Sequence, residues 1–380
     1  MRRHILYLIN VNWNWIKQRP HFIAENLVSD FDVTVYERSY LQLKPSFLRK
    51  QRVSVKNSSI NNDSFRLCHY YFLPFYQVGW LGKSKMYKIA NNIFLKCQYR
   101  KIAKHYDVIW ASGPDIFQHF NDFVPQDSKV IYDCMDDYLE FPAVRKTPYL
   151  ANMIKINESC VIERSDLIIY SADYLKRKVE HRYHLNNSGI VINNAINEPK
   201  PNVDCEVELS SNLKIYTYPL VYIGTVSEWF DFDIILNVLD YFEDINLLLV
   251  GPICSEVPQH PRIIAMGPVK HDVIFRIMEF AWALIMPFKV NELVKSVNPV
   301  KLYEYIYSGK PVVSVKYGET EKFAKYVHLY KNESELKEIL FKIKNEIIDD
   351  ESKAMRKGYA LANTWKSRNR EIVKAINSLF

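Results

Sequence analysis

The chain has 380 residues, enough for about two domains, and its 48% hydrophobic and 24% charged residues exclude both a disordered polymer and a membrane-embedded bundle. No apolar run reaches the ~20 residues of a membrane span, and the start MRRHILYLINVNWNW has too short an apolar core for a secretory signal, so the expected compartment is the cytosol. The net charge of +7 is uneven: residues 1–195 hold 27 Lys and Arg against 18 Asp and Glu, whereas the remainder holds 23 against 25.

In chain order, HILYLI (4–9) is a short apolar run with the length of a buried strand. A loop with Trp13 and Trp15 follows, then a helix starting near Pro20 that carries His21, Ala24 and Leu27. FDVTVYE (31–37), DVIWAS (107–112), KVIYDC (129–134) and DLIIYSA (166–172) are further strands, with polar or Gly/Pro residues at their carboxyl ends. The succession predicts a parallel sheet with helices on both faces. Between Lys44 and Lys104, the cations Arg49, Lys50, Arg52, Lys56, Lys83, Lys85, Lys88, Lys96, Arg100 and Lys101 interleave with Tyr70, Tyr71, Phe72, Phe75, Tyr76 and Trp80. Cations among exposed aromatics suit an anionic membrane surface rather than nucleic acid; a basic solvated surface over an aromatic core is the alternative.

The second half repeats the pattern. LVYIG (220–224), INLLLVG (245–251), RIIAMG (262–267), WALIMPF (282–288) and PVVSV (311–315) are strand candidates, separated by helical segments near 231–243, 270–280 and 300–308. The polar, proline-containing stretch 193–212 reads as a linker, and 364–380 as an amphipathic helix with Ile372, Ala375, Ile376 and Leu379 on one face. The expected organisation is therefore a first domain over 1–195, a linker over 196–215 and a second domain over 216–363. The six cysteines, Cys68, Cys97, Cys134, Cys160, Cys205 and Cys254, lack metal-ligand or redox spacing, so reduced thiols and no metal site are expected.

Ser296 to Ser314, SVNPVKLYEYIYSGKPVVS, couples a lysine and a glutamate on one helical face before a buried strand. A turn at Asn298 and Pro299 leaves amides free to meet a phosphate, and Gly309 ends the helix. Lys301 and Glu304 stand one turn apart, so a cation can meet a diphosphate while a carboxylate accepts from ribose hydroxyls. A solvated Lys301–Glu304 ion pair is the plainer reading of the same spacing.

With this run, the stretches WIKQRPHFIAENL, VIYDCMDDYLEF, SGIVINNAIN, YIGTVSEWFDFDIIL, LLLVGP, ALIMPF and TWKSRNREI follow in order, and the chain resembles GT-B glycosyltransferases. The likeness is to the group 1 superfamily and its bacterial exopolysaccharide branch, specifically the teichuronic-acid and xanthan glucuronosyltransferase types. It implies an α/β fold of two tandem Rossmann-like, doubly wound domains facing a cleft. The C-terminal one would hold the donor nucleotide, and the last helix would cross back onto the first. It further implies that Glu304 binds ribose, Lys301 the diphosphate, and that Gly224 with Thr225 forms the turn against the phosphates. Ser296 stands eight residues before Glu304, where the retaining pattern has an acid. That departure favours inversion with a carboxylate base in the first domain.

Asp136 and Asp137, just past the apolar run 129–134, are the base candidates, with Asp136 preferred; helix capping and solvation are the structural alternatives for the pair. Arg19 and His21 in the first βα loop, and Asp115 after another strand end, are acceptor-side or phosphate-side candidates, while Trp229 with Asp231 shapes the donor pocket or packs and caps. The expected reaction transfers a sugar from a nucleotide diphosphate, UDP favoured, to a lipid-linked or growing surface glycan at the inner face of a bacterial membrane. No cofactor is expected, and no metal, since DFD at 231–233 lies at a helix start. A nucleotide-sugar-binding partner protein that has lost its first acid, and a retaining transferase of the same fold, are the alternatives.

Overall fold

The apolar runs are strands in the computed structural model of the chain, which describes residues 2–14, 17–40, 63–73, 84–99, 106–186, 189–197, 216–269, 271–345 and 349–380. Two units emerge. The first comprises Met1–Ser171, Lys176–Ile192 and Asn369–Phe380, and the second Ala172–Leu175 and Asn193–Arg368.

The first unit holds a seven-stranded sheet built from β1 (His4–Ile9), β2 (Asp32–Tyr40), β3 (Phe65–Phe72), β4 (Val108–Ala111), β5 (Lys129–Cys134), β6 (Leu167–Tyr170) and β7 (Gly189–Val191), in the order β3-β2-β1-β4-β5-β6-β7. Every pairing is parallel. Ile5 to Ile9 are fully buried, as a central strand covered on both faces requires. The helices that concern the argument are α1 (Arg19–Leu27), α2 (Lys85–Tyr99), α3 (Pro148–Arg164) and α4 (Asp173–Arg182), with α1 and α3 each starting on a proline in the first turn.

The second unit holds a six-stranded parallel sheet of β8 (Tyr218–Ile223), β9 (Ile245–Val250), β10 (Ile263–Gly267), β11 (Ala283–Met286), β12 (Val312–Val315) and β13 (His328–Tyr330), ordered β10-β9-β8-β11-β12-β13. Helices α5 (Phe232–Tyr241), α6 (His271–Phe280), α7 (Val300–Tyr307), α8 (Glu333–Asn345) and α9 (Asp350–Ala362) accompany it. Gly309, with φ 75°, ends α7 in the left-handed conformation that its position anticipates. Helix α10 (Trp365–Asn377) begins in the second unit and ends in the first, where Asn369 Nδ2 donates to Ser29 Oγ (3.3 Å) and Asp30 Oδ2 (3.0 Å) just past α1. The expected two doubly wound units and the returning helix are thus present.

Strands β3, β7 and β13 have no counterpart in the sequence reading, and all three are sheet edges, where one-sided burial permits Arg66 and His69 to interrupt the apolar run. Tyr70 and Phe72 correct an expectation: both are core residues rather than exposed aromatics. Lys44, Arg49, Lys50, Arg52, Lys56, Phe75, Tyr76, Trp80, Lys83, Arg100, Lys101 and Lys104, with Trp15 and the linker from 198 to 215, lie outside the described residues.

Gly251, after β9, has φ 137°, and a Cβ there would run into the Gly224 carbonyl, which is backbone and cannot swing aside. Gly251→Ala should therefore cost at least about 2 kcal/mol. The measurable result is a lowered unfolding midpoint; an unchanged midpoint would show that the β8 and β9 ends are not held this closely.

Candidate active site

Open parallel sheets bind ligands beyond the carboxyl ends of their strands, where the strand order reverses. In the first unit that point lies between β1 and β4. The Asn10 N–H donates to Ser112 Oγ (3.2 Å), Asn10 Nδ2 to the Tyr138 hydroxyl (3.1 Å), and that hydroxyl to the Ser112 carbonyl (3.2 Å). Gly113 has no room for a side chain here: a Cβ would stand 2.5 Å from Asn10 Nδ2. Asn10, Ser112 and Tyr138 are absent from the sequence-derived candidates, because the reversal that joins β1 to β4 cannot be seen before pairing is known.

Three carboxylates, Asp133 within β5 and Asp136 and Asp137 just past it, fall within five residues, and their surroundings separate them. Asp133 is fully buried; Arg19 grips it through Nε (3.0 and 3.2 Å) and Nη2 (2.9 Å), and sends Nη1 to the Ile192 carbonyl (2.8 Å). Burial nonetheless pushes the Asp133 carboxyl upward against the Arg19 charge. Asp137 is also fully buried, with Arg182 Nη2 at 2.8 Å from both oxygens and Lys178 Nζ at 3.1 Å. Asp136, between them, is partly exposed and makes no hydrogen bond with the described residues. Desolvation, opposed by Arg19 and reinforced by the charges of Asp133 and Asp137, pushes its carboxyl up to about 6.

The other first-unit candidates are committed internally. Arg19 is a buried clamp between α1, β5 and the end of β7. His21 caps its own helix: Nδ1 accepts from the Gln18 N–H (3.1 Å) and Nε2–H faces the Asn12 carbonyl (3.1 Å), so the ring is neutral. Burial lowers its pKa further. Both side chains are thus engaged within the first unit. Asp115 accepts from Asn157 Nδ2 (3.0 Å) in the first turn of the short helix Pro114–Gln118.

In the second unit the order reverses between β8 and β11. Gly224 and Thr225 turn directly out of β8; the Gly224 N–H donates to the Val250 carbonyl (2.8 Å) and the Tyr222 hydroxyl to the Thr225 carbonyl (2.9 Å). The following loop is stitched to the chain after β11: the Lys289 N–H donates to the Trp229 carbonyl (2.8 Å) and the Asp231 N–H to the Pro287 carbonyl (2.8 Å). Trp229 is half-buried, and Asp231 caps α5 through the Ile234 N–H (3.3 Å) while Asp233 pairs with Lys289 (2.8 Å). Among the described residues no group of three His, Cys, Asp or Glu is placed to hold a metal ion.

Helix α7 is fastened to the same turn. The Tyr305 hydroxyl accepts from the Ile223 N–H (2.7 Å), a tie that sequence reading missed and that brings the helix against the end of β8. Pro299 is the N-cap of α7. Asn298 is buried: Oδ1 accepts from the Asn194 N–H (3.0 Å), and Nδ2 donates to Glu319 (3.2 Å), whose other oxygen takes the Asp173 N–H (2.9 Å). It therefore positions the helix start. Glu304 is almost wholly buried and pairs with the half-exposed Lys301 (2.8 Å). Ser296, fully buried, donates to the Glu292 carbonyl (3.0 Å). A cavity of about 560 Å³ lined by Arg2, Arg3, Asp30, Phe31, Val373 and Asn377 lies at the opposite, amino-terminal end of β1 and touches none of these groups.

Known proteins frame this arrangement. Sucrose-phosphate synthase (tll1590) from Thermosynechococcus elongatus is similar over 100% of this chain and 99% of its own, at a TM-score of 0.70 and 13% identity. Anabaena Alr3699/HepE, solved with UDP and glucose, is similar over the whole of both chains, at 0.65 and 14%. The chain has the GT-B fold. Within this GT-B chain, 262 residues are 27% identical to TuaH of Bacillus subtilis (strain 168), a distant relative whose name assigns it to teichuronic acid biosynthesis as a glycosyltransferase. The match covers 65% of the GT-B chain and 66% of TuaH. No protein-family model matches.

Proposed function

We propose that the protein is a glycosyltransferase that moves a sugar from a UDP-sugar to a lipid-linked or growing bacterial surface glycan, with inversion and Asp136 as the base. The observation that carries the donor half of this reading is α7. Its amino terminus and the Lys301–Glu304 pair stand on a helix tied by Tyr305 to the Gly224 turn, so amide dipoles, a cation and a carboxylate share one strand-order reversal. The solved relative carrying UDP and glucose supports the donor, and TuaH the glycan class. Ser296, tied back to Glu292, supports inversion because a retaining acid has no place there. Peripheral contact with an anionic membrane belongs to the same reading.

A thermal-shift panel of nucleoside diphosphates tests the donor. UDP at 100 times its Kd should stabilise the protein by about 2.7 kcal/mol, a rise of several degrees. In Glu304→Gln the ribose acceptor loses its charge and Lys301 its partner, so UDP affinity should fall roughly 10- to 100-fold. If no nucleoside diphosphate moves the midpoint, the donor reading fails; NMR of the product anomer decides the stereochemistry.

A further inference from the structure

Helix α2 turns an apolar ridge and a basic ridge outward side by side. Met86, Ile89 and Ile93 are 82%, 52% and 57% exposed, an unusual burden for three large side chains on one helical face. Lys85, Lys88 and Lys96 are exposed along the adjacent row. The orientation is fixed from within: Asn91 Oδ1 accepts from the Leu73 N–H (2.9 Å), the Tyr87 hydroxyl donates to the Leu73 carbonyl (2.8 Å), and Gln98 bonds both the N–H and the carbonyl of Tyr71 (3.0 and 2.8 Å). These bonds hold the polar inner face on the end of β3, so the helix cannot roll to hide its isoleucines. On α3, the exposed Tyr149 extends the patch, its hydroxyl 3.3 Å from Lys88 Nζ.

We propose that this outer face of α2 is the surface by which the protein docks on an anionic lipid bilayer, a proposal that gives a location to the membrane contact in the function proposed above. Charge selects the occupant. From Arg38 to Tyr106 the sequence carries fourteen Lys and Arg against a single acid, Asp63, and α2 itself has no acid at all. Asp122, 3.6 Å from Lys96 and exposed, is the acidic group that α2 meets. Lysines on flexible stems reach headgroup phosphates while Met86, Ile89 and Ile93 enter the headgroup–acyl boundary. Nucleic acid would leave the aliphatic ridge unburied, and a protein partner gives no reason for a nearly acid-free run of this length.

Co-sedimentation of the full chain with vesicles tests the docking face. Phosphatidylglycerol mixed with phosphatidylcholine should bind the protein, with affinity falling as salt rises, and phosphatidylcholine alone should not. Replacing three lysines (Lys85→Gln, Lys88→Gln, Lys96→Gln) should weaken binding on the order of 100-fold, about fivefold per cation. Replacing the ridge (Met86→Ser, Ile89→Ser, Ile93→Ser) should weaken it at least about tenfold, since each loses buried aliphatic area. Unaltered binding by both variants, equal binding to neutral vesicles, no vesicle binding, or tighter binding to nucleic acid would each overturn the proposal. The UDP shift, measured on the same variants, is expected to stay unchanged, so failure of the docking face and failure of the donor reading register in separate experiments.

Discussion

Asp136→Asn is expected to lower turnover by about 10²- to 10⁴-fold while leaving the UDP-induced thermal shift intact, because the variant loses a proton acceptor and no donor contact. The pH profile of the parent protein should report the same group. With the Asp136 carboxyl at about 6, kcat/KM should climb about tenfold per pH unit below that value and level off above it, as the deprotonated form becomes dominant. A flat profile from pH 5 to 7 would exclude Asp136 as the base.

Stability should move the opposite way. The folded-state pKa lies above the ordinary aspartate value, so the native state binds a proton that the unfolded chain has released. This group's contribution is therefore fully present below about pH 4 and is lost as pH rises through about 6. At pH 7 the parent holds a disfavoured charge that Asn does not have. Allowing for the partial solvent access of Asp136, the variant should be more stable by on the order of 1–2 kcal/mol, an inactive protein with a raised midpoint. A variant that is both inactive and less stable would mean that Asp136 serves the fold.

Central strands were legible in the sequence because burial on both faces leaves only apolar residues, as Ile5 to Ile9 show. The edges β3, β7 and β13 were not, since Arg66 and His69 interrupt β3 and the other two are three residues long, whereas the fourth edge, β10, keeps an apolar run. The Lys301–Glu304 ion pair, the plainer reading of that spacing, was legible for a related reason: the two stand one turn apart on a single helix, and local spacing is enough to join them. The pairings of the first unit were less so. Arg19 has the right charge beside the right strand end, but its fate is decided by Asp133, 114 residues away, and that of Asp137 by Arg182, 45 residues on. Pairing across such separations follows from topology rather than composition. The partners of Asn298, Asn194 and Glu319, likewise arrive from distant segments.

The pairing of Asp137 leads to the other large effect. Asp137→Ala should destabilise the first unit by about 3–5 kcal/mol, because it strips the partly buried Arg182 guanidinium of the fully buried carboxylate whose two oxygens its Nη2 meets. Burial works to lower the pKa of Arg182, while its bonds to Asp137 and the charge of Glu158 raise it; without Asp137 the guanidinium still stays charged, because its intrinsic basicity keeps it protonated at any pH the protein tolerates. Lys178 would keep Glu140 (2.8 Å) and Arg182 would keep Glu158 (3.3 Å), with Tyr132 and Tyr183 still donating to that glutamate. The lost contact is thus the one that ties the loop of Asp136 to α4. Combining Asp137→Asn with Arg182→Gln should cost less than the two single changes added together, by about 0.5–3 kcal/mol, since removing both charges leaves neither stranded. Activity assayed well below the lowered midpoint separates anchor from base: Asp137→Asn should retain most of its turnover per folded molecule, where Asp136→Asn does not. Should Asp137→Asn instead be folded, bind UDP and fail to turn over while Asp136→Asn works, the two roles are exchanged, and the ion pair with Arg182 must open for the reaction to proceed.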